Sequence, residues 1–232
     1  MTRNRIKSNK MKVWLSYPIS EKTPIYGNGL GFMRKAVNEL TKGASCNTEW
    51  WQMPNHIGTH LDAPRHFFNN GATIDVYPVE FWHFTKPFLI EILLESSEWI
   101  GNNKKFSQVP KDTDLLLIKT GFYKYRSERI YWEDNPGLSP ELAIWLRKNR
   151  SKIRAVGIDF ISISRWQDRV KGREAHKRFL SPNGPGNPIL LIEDMDLSCV
   201  NEVSCINEVW VFPIRVENAD GAPCTVIAEV EN

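Results

Sequence analysis

Three of the five histidines in this 232-residue chain fall within eleven residues, in the run Asn55-His56-Ile57-Gly58-Thr59-His60-Leu61-Asp62-Ala63-Pro64-Arg65-His66. Imidazoles clustered around a carboxylate are the ligand set that zinc- or manganese-type divalent cations take. As a helix the run would put His56 and His60 on one face, as in zinc proteases with a glutamate beside the first histidine. Ile57 holds that place instead, and Gly58 and Pro64 oppose a helix. In an extended conformation His60 and Asp62 point to one side, with His56 and His66 at even offsets from them. The spacing therefore makes His56, His60 and Asp62 a plausible ligand set. His66, beyond Pro64, is left as a candidate for proton transfer, because an imidazole titrates near neutral pH. Unpaired polar groups clustered inside a fold are costly, so the run reads as a site rather than as an ordinary polar loop.

The surrounding chain must supply rigid elements to hold that run. Lys12 to Tyr17 reads as a first strand, ended by Pro18. The Pro/Gly/Asn-rich stretch after it is a loop carrying Tyr26, an aromatic suited to a pocket wall. Residues 31–40 fit helix or strand. Thr48 to Met53, with Trp50 and Trp51, reads as a strand feeding the histidines, and Trp51 joins Tyr26 as a candidate substrate contact. Thr73 to Pro78 reads as a short extended piece. The apolar runs Pro87 to Leu94, Asp114 to Ile118, Ile153 to Asp159 and Pro188 to Glu193 have the length and composition of strands buried on both faces. Ser139-Pro140-Glu141 is a helix start, with Ser as N-cap and Pro in the first turn. A short helix is expected over Arg173 to Leu180, and two closing strands over Val209 to Val216 and Cys224 to Val230. With no repeat and no linker, residues 11–232 form one α/β domain, strand-dominated with few helices.

Composition narrows the function. Arg3, Arg5, Lys7 and Lys10 lie in an acid-free head, and without them the net charge of +3 falls to −1. Residues 1–10 thus read as a disordered basic tail, and the body offers no basic face for nucleic acid. The head has no apolar core of a secretory signal, and no apolar stretch approaches the ~20 residues of a membrane span. The four cysteines form no Cys-x-x-Cys pair, as expected of a reduced, cytoplasmic protein.

His-x-Gly-Thr-His-x-Asp-Ala-Pro-x-His resembles the signature of the cyclase-like metal-dependent hydrolases, which include bacterial kynurenine formamidase and isatin hydrolase. The likeness extends over nearly the whole chain: Leu15-Ser16-Tyr17-Pro18, Lys119-Thr120-Gly121-Phe122, Gly157-Ile158-Asp159 and Asp220-Gly221-Ala222-Pro223 follow in the family's order. The resemblance implies a swivelling β/β/α fold, usually assembled as a homodimer or homotetramer. It also implies two divalent metal ions, zinc or manganese. His56, His60 and Asp62 would hold the first, Asp62 would be shared with the second, and His176 and Glu193 would complete the set. His66 would be the acid/base, in the hydrolysis of a C–N bond of a small aromatic amide, formamide or lactam. Asp194 stands where the family reads glycine and is a lesser candidate for the ligand role, while Asp159 has no assigned part. The stretches Ser162 to Arg169 and Ser181 to Asn187 also depart from the family and are candidates for reshaping the pocket. The rival readings are a non-catalytic metal-binding module, for which an acid/base beside the metals is superfluous, and a nucleic-acid binder resting on the basic head alone.

Overall fold

The computed structural model describes residues 10–27, 29–94 and 97–231. Of the expected basic tail only Lys10 falls among them, and it opens the first strand. In chain order the strands are β1 (Lys10–Trp14), β2 (Met33–Asn38), β3 (Thr48–Gln52), β4 (His60–Asp62), β5 (His83–Phe84), β6 (Pro87–Glu91), β7 (Trp99–Ile100), β8 (Leu115–Lys119), β9 (Gly137–Leu138), β10 (Ala155–Ile158), β11 (Leu190–Glu193), β12 (Cys205–Pro213) and β13 (Gly221–Glu231). The α-helices are α1 (Lys104–Ser107), α2 (Ile130–Glu133), α3 (Pro140–Asn149) and α4 (Arg169–Leu180).

A single mixed sheet organises the molecule, in the order β5-β12-β13-β4-β11-β10-β8-β6, with β1 also paired to β13. Strands β6, β8, β10 and β11 run parallel, joined through α3 and α4. The other half is antiparallel, and β4 lies at the junction, antiparallel to both β11 and β13. The parallel strands are buried on both faces, as their unbroken apolar runs require. In β8, Leu116 and Ile118 enter the core under the helices, while Leu115 and Leu117 enter the core on the other side. Ser139 caps α3 by accepting from the Leu142 backbone N–H, in agreement with the start signal.

Several segments differ from their sequence-based expectation or resolve it; α4 starts at Arg169 rather than Arg173, with Asp168 accepting from Lys171 N–H as its cap. Residues 31–40 contain a strand, β2, whose pairing with β3 sets Arg34 opposite Trp51. Both strands of this two-stranded arm are exposed along their whole length, so no buried face leaves a period in the sequence. Residues Ile74–Val76 form a 3-10 turn rather than an extended piece, because Ile74 N–H bonds Ala219 O and Asp75 accepts from Asn218 N–H. The first strand ends at Trp14, and the chain continues extended to a bridge between Ser16 and Met195. No described helix is long and apolar enough to cross a membrane.

Leu191 in β11 is completely buried two residues before Glu193. Leu191→Ala is expected to lower unfolding free energy by about 2–5 kcal/mol. Urea titration should show a lower midpoint at an unchanged slope.

Candidate metal centre

Strand β4 is three residues long, and its alternation places His60 and Asp62 on one face. The register with β11 sets Glu193 directly opposite His60, and the register with β13 sets Gly221 opposite Asp62. His176 approaches from α4, whose last turns cover the same end of the sheet. All four side chains are nearly inaccessible, with Asp62 at 1% and Glu193 at 3% exposure.

The hydrogen bonds fix which nitrogens face inward. His60 Nδ1 is 2.8 Å from Gly58 O, and His176 Nδ1 is 3.0 Å from Gly172 O and 3.2 Å from Ser164 Oγ. A carbonyl only accepts, so both Nδ1 atoms carry the proton and both Nε2 atoms are the nitrogens that could face a cation. His60 Nε2 stands 3.5 Å from Asp62 Oδ1 and 3.5 Å from Glu193 Oε2. His176 Nε2 stands 3.5 Å from Asp62 Oδ2 and 3.4 Å from Glu193 Oε1. Each carboxylate thus turns one oxygen to His60 and the other to His176. These separations exceed the ~2.7–2.9 Å of a charge-assisted hydrogen bond. They come close to the edge of about 3.3 Å that a tetrahedron of ligands has around a cation bonded at ~2.05 Å. The donor set therefore fits divalent metal: of the three groups of donors that these side chains form, two share Asp62, namely His56 with His60 and Asp62, and Asp62 with His176 and Glu193, while the third joins His56, His66 and Asp220.

His56 reaches the cluster by a turn, since Gly58 at φ +60 breaks the extended path between the first two histidines. The even offset of His56 is thus not what aims it. Its ring is half-buried against Gly221, where a Cβ would come within 2.4 Å of Cε1. His56 Nδ1 bonds Asp62 Oδ1 at 2.7 Å, and Nε2 bonds Asp220 Oδ2 at 3.0 Å. Asp220 Oδ2 also accepts from His66 Nδ1 at 2.8 Å, and the rings of His56 and His66 lie 4.1 Å apart. Asp220 is the residue that the sequence reading missed as a site member. Its only signal was its place in Asp-Gly-Ala-Pro, and the hydrogen bond from Asn55 Nδ2 to its Oδ1, 2.7 Å long, holds it in place.

Burial opposes charge on His56, but Asp62 and Asp220 outweigh it and push the imidazole up to about 10. The same contest at His176, with Asp62 and Glu193 as partners, ends at about 10. For Asp62 burial favours the neutral form, yet His56, His176 and His60 hold the carboxyl well below its usual range. Hydrogen bonds from His56 and His66 likewise depress Asp220.

A second ring of contacts orients the ligands. Glu193 Oε1 accepts from Ile163 N–H at 2.8 Å and Ser162 Oγ at 3.2 Å, so the divergent stretch 162–169 supports a ligand. Thr59 donates to Asp194 O at 2.6 Å and accepts from Tyr17 N–H at 3.0 Å, stitching the histidine run to the segments that follow β1 and β11. Asp194 itself turns away from the cluster. Its backbone has φ +52, the left-handed region where glycine is at ease and Asp is tolerated. Its carboxylate is fixed by Arg126 Nε at 2.8 Å, Arg126 Nη2 at 2.6 Å and Tyr131 Oη at 2.5 Å. Asp159 is buried and accepts from the backbone N–H groups of Thr120 and Gly121, joining the ends of β10 and β8. Burial pushes its carboxyl up to about 6 against those bonds.

His56, His60, His176 and Glu193 line a cavity of about 380 Å³, with Tyr26, His66 and Phe67 in its wall. Phe67 stacks on His176 with centroids 5.0 Å apart. Trp51 is placed elsewhere, 62% exposed on β3 and lining a separate hollow with Phe32 and Arg34. Residues 181–187 do not line the cavity; Arg147 binds that loop through the carbonyls of Ser181 and Gly186. His83, the fifth histidine, stacks on Trp210 and pairs with Glu208 away from the cluster.

Residues 13–165 match the model of the Cyclase family. A kynurenine formamidase of Geobacillus thermodenitrificans is 28% identical over 223 residues, covering 92% of this chain and 95% of the relative. Isatin hydrolase A from Labrenzia aggregata superimposes with a TM-score of 0.77 at 19% identity, over 96% of this chain and 94% of that one. A potential metal-dependent hydrolase with cyclase activity gives a TM-score of 0.75 at 23% identity, over 95% and 98% of the two chains. At these identities the two structures establish a shared fold.

Metal ligands must be deprotonated, and His56 and His176 hold their protons up to about 10 when no cation is present. Loading at pH 8 should therefore release protons, and affinity should fall as pH falls. Calorimetry in buffers of different ionisation heat is expected to show roughly one to two protons released per chain. Release of none would contradict the assignment of these imidazoles.

Proposed function

The chain belongs to the Cyclase family, and from this and its buried donor set we propose that it is a metal-dependent hydrolase cleaving the C–N bond of a small aromatic amide, formamide or lactam. The observation that carries this reading is Asp62, whose carboxylate belongs to two donor groups, beside His66, which stands outside those two and shares Asp220 with His56. The near full-length likeness to a kynurenine formamidase supports the choice of bond.

His56, His60 and Asp62 would hold one divalent cation, and Asp62, His176 and Glu193 a second, with zinc or manganese suiting this mixture of nitrogen and oxygen donors. When bound, such ions supply Lewis acidity and lower the pKa of water toward neutrality. The protein's own groups do the rest. Hydrolysis of an amide requires a proton to be taken from water and another given to the departing nitrogen. His66 lines the cavity with Nδ1 committed to Asp220, so Nε2 is the nitrogen free to carry it. Asp220 holds the ring in one tautomer and orientation, the part a carboxylate plays behind a catalytic imidazole. Tyr26 and Phe67 offer flat apolar surface to an aryl group. A storage or sensing module has no use for a half-buried imidazole oriented this way, which disfavours the non-catalytic alternative.

A hydrolysis screen of the metal-loaded protein tests the reading, with N-formyl aryl amines, isatin-like lactams and simple lactones as substrates. His66→Ala is expected to keep its metal by elemental analysis and to lose turnover by about 10²–10⁴-fold. A variant that stays active would place the proton carrier elsewhere.

A further inference from the structure

The floor of the cavity is acidic, but its rim is not. Arg169 and Arg173 both line the cavity from α4, one helical turn apart, on the face that carries His176. Both are exposed, and among the described residues neither forms an ion pair. Other arginines nearby are satisfied: Arg178 pairs with Glu174 at 2.7 Å, Arg129 with Glu133 at 2.5 Å, and Arg126 with Asp194 at 2.6 Å.

The two free guanidiniums belong to a built wall. Arg169 lies 4.8 Å over the ring of Trp166, and Trp166 meets Tyr26 edge to face with centroids 5.4 Å apart. The Tyr26 hydroxyl is buried and has no hydrogen-bond partner among the described residues. Burial, with Glu193 adding to it, pushes that phenol up to about 12, and Arg169 and Arg173 are near enough to pull the other way. A buried donor without an acceptor is uncommon and marks a place where an acceptor belongs.

We infer that the rim of this cavity recognises a carboxylate, so that the substrate is an aryl amide or lactam bearing an anionic group on the side away from the scissile bond. The inference rests on the hydrolase reading and adds the substrate's charge to it. A planar carboxylate matches the guanidinium fork, and the Tyr26 hydroxyl in the same cavity wall is a further donor. Divalent cations held by Asp62 and Glu193 would offset the charge of those carboxylates, so that an anion entering the loaded site would meet cationic groups at both ends. Neutral aryl amides satisfy the aromatic wall but leave the guanidiniums and the phenol without partners.

The test compares 4-formamidobenzoate with its methyl ester on metal-loaded protein at low salt. The acid should have the higher kcat/KM, by roughly tenfold, through KM. In the Arg169→Gln/Arg173→Gln protein the acid-to-ester ratio should collapse toward one. It should persist in Lys177→Gln, which removes an exposed cation of the same helix that does not line the cavity. Equal rates for acid and ester in the wild type, or a ratio unchanged in the double variant, would overturn the inference. If neither compound is hydrolysed, the hydrolase reading fails separately, and binding of 4-aminobenzoate to metal-free protein decides the rim. Quenching of tryptophan fluorescence that weakens roughly tenfold in the double variant supports the carboxylate site, and equal affinity overturns it.

Discussion

A carboxylate with 1% of its surface exposed, ringed by imidazoles, is the constraint around which this molecule is arranged. Burying an ionised carboxyl costs several kcal/mol unless it is paired and hydrogen-bonded. Asp62 meets that condition with His56 at 2.7 Å and with His60 and His176 at 3.5 Å, using both of its oxygens. Those partners come from a turn, from its own strand and from α4. No one segment of chain brings all of them, so the sheet must. The three-residue β4 lies between β11 and β13 at the boundary of the parallel and antiparallel halves, and the registers of both neighbours converge on it.

The same arrangement separates the cavity into two electrostatic zones. Its floor holds Glu193 with His60 and His176 over the buried Asp62, and the neighbouring carboxylates raise His56 and His176. Its rim holds Arg169 and Arg173 with no acidic partner among the described residues. Between them stand Phe67, Tyr26 and Trp166. The residues of 162–169 serve both zones, since Ser162 orients Glu193 while Trp166 and Arg169 build the rim. Asp194, where the resemblance leads one to expect glycine, is of another kind. It keeps the left-handed backbone and replaces conformational freedom with a pinned carboxylate.

Much of this was legible in the sequence. Buried parallel strands announce themselves as apolar runs, and β6, β8, β10 and β11 fall where those runs predict. The pairing of His60 with Asp62 follows from strand alternation and is local. The remainder is not local. His66 and Asp220 are 154 residues apart, and nothing in either neighbourhood encodes their contact. The route of His56 depends on a positive φ at Gly58, which spacing arguments pass over. Trp51 looked like a pocket residue because it precedes the histidines, but an exposed two-stranded arm carries it to a different hollow. The arginine rim went unremarked because Arg169 and Arg173 read as solvated helix charges until α4 is seen to cap the cavity.

The most direct test of the account is the metal content of the Asp62→Asn protein beside that of His176→Ala. The substitution keeps the shape of the side chain and removes the charge shared by both donor groups. The account predicts two divalent ions per chain in the parent, one in His176→Ala, and none retained through dialysis in Asp62→Asn. Retention of one tightly held ion by folded Asp62→Asn would show that the two groups do not depend on a common carboxylate, and would contradict it.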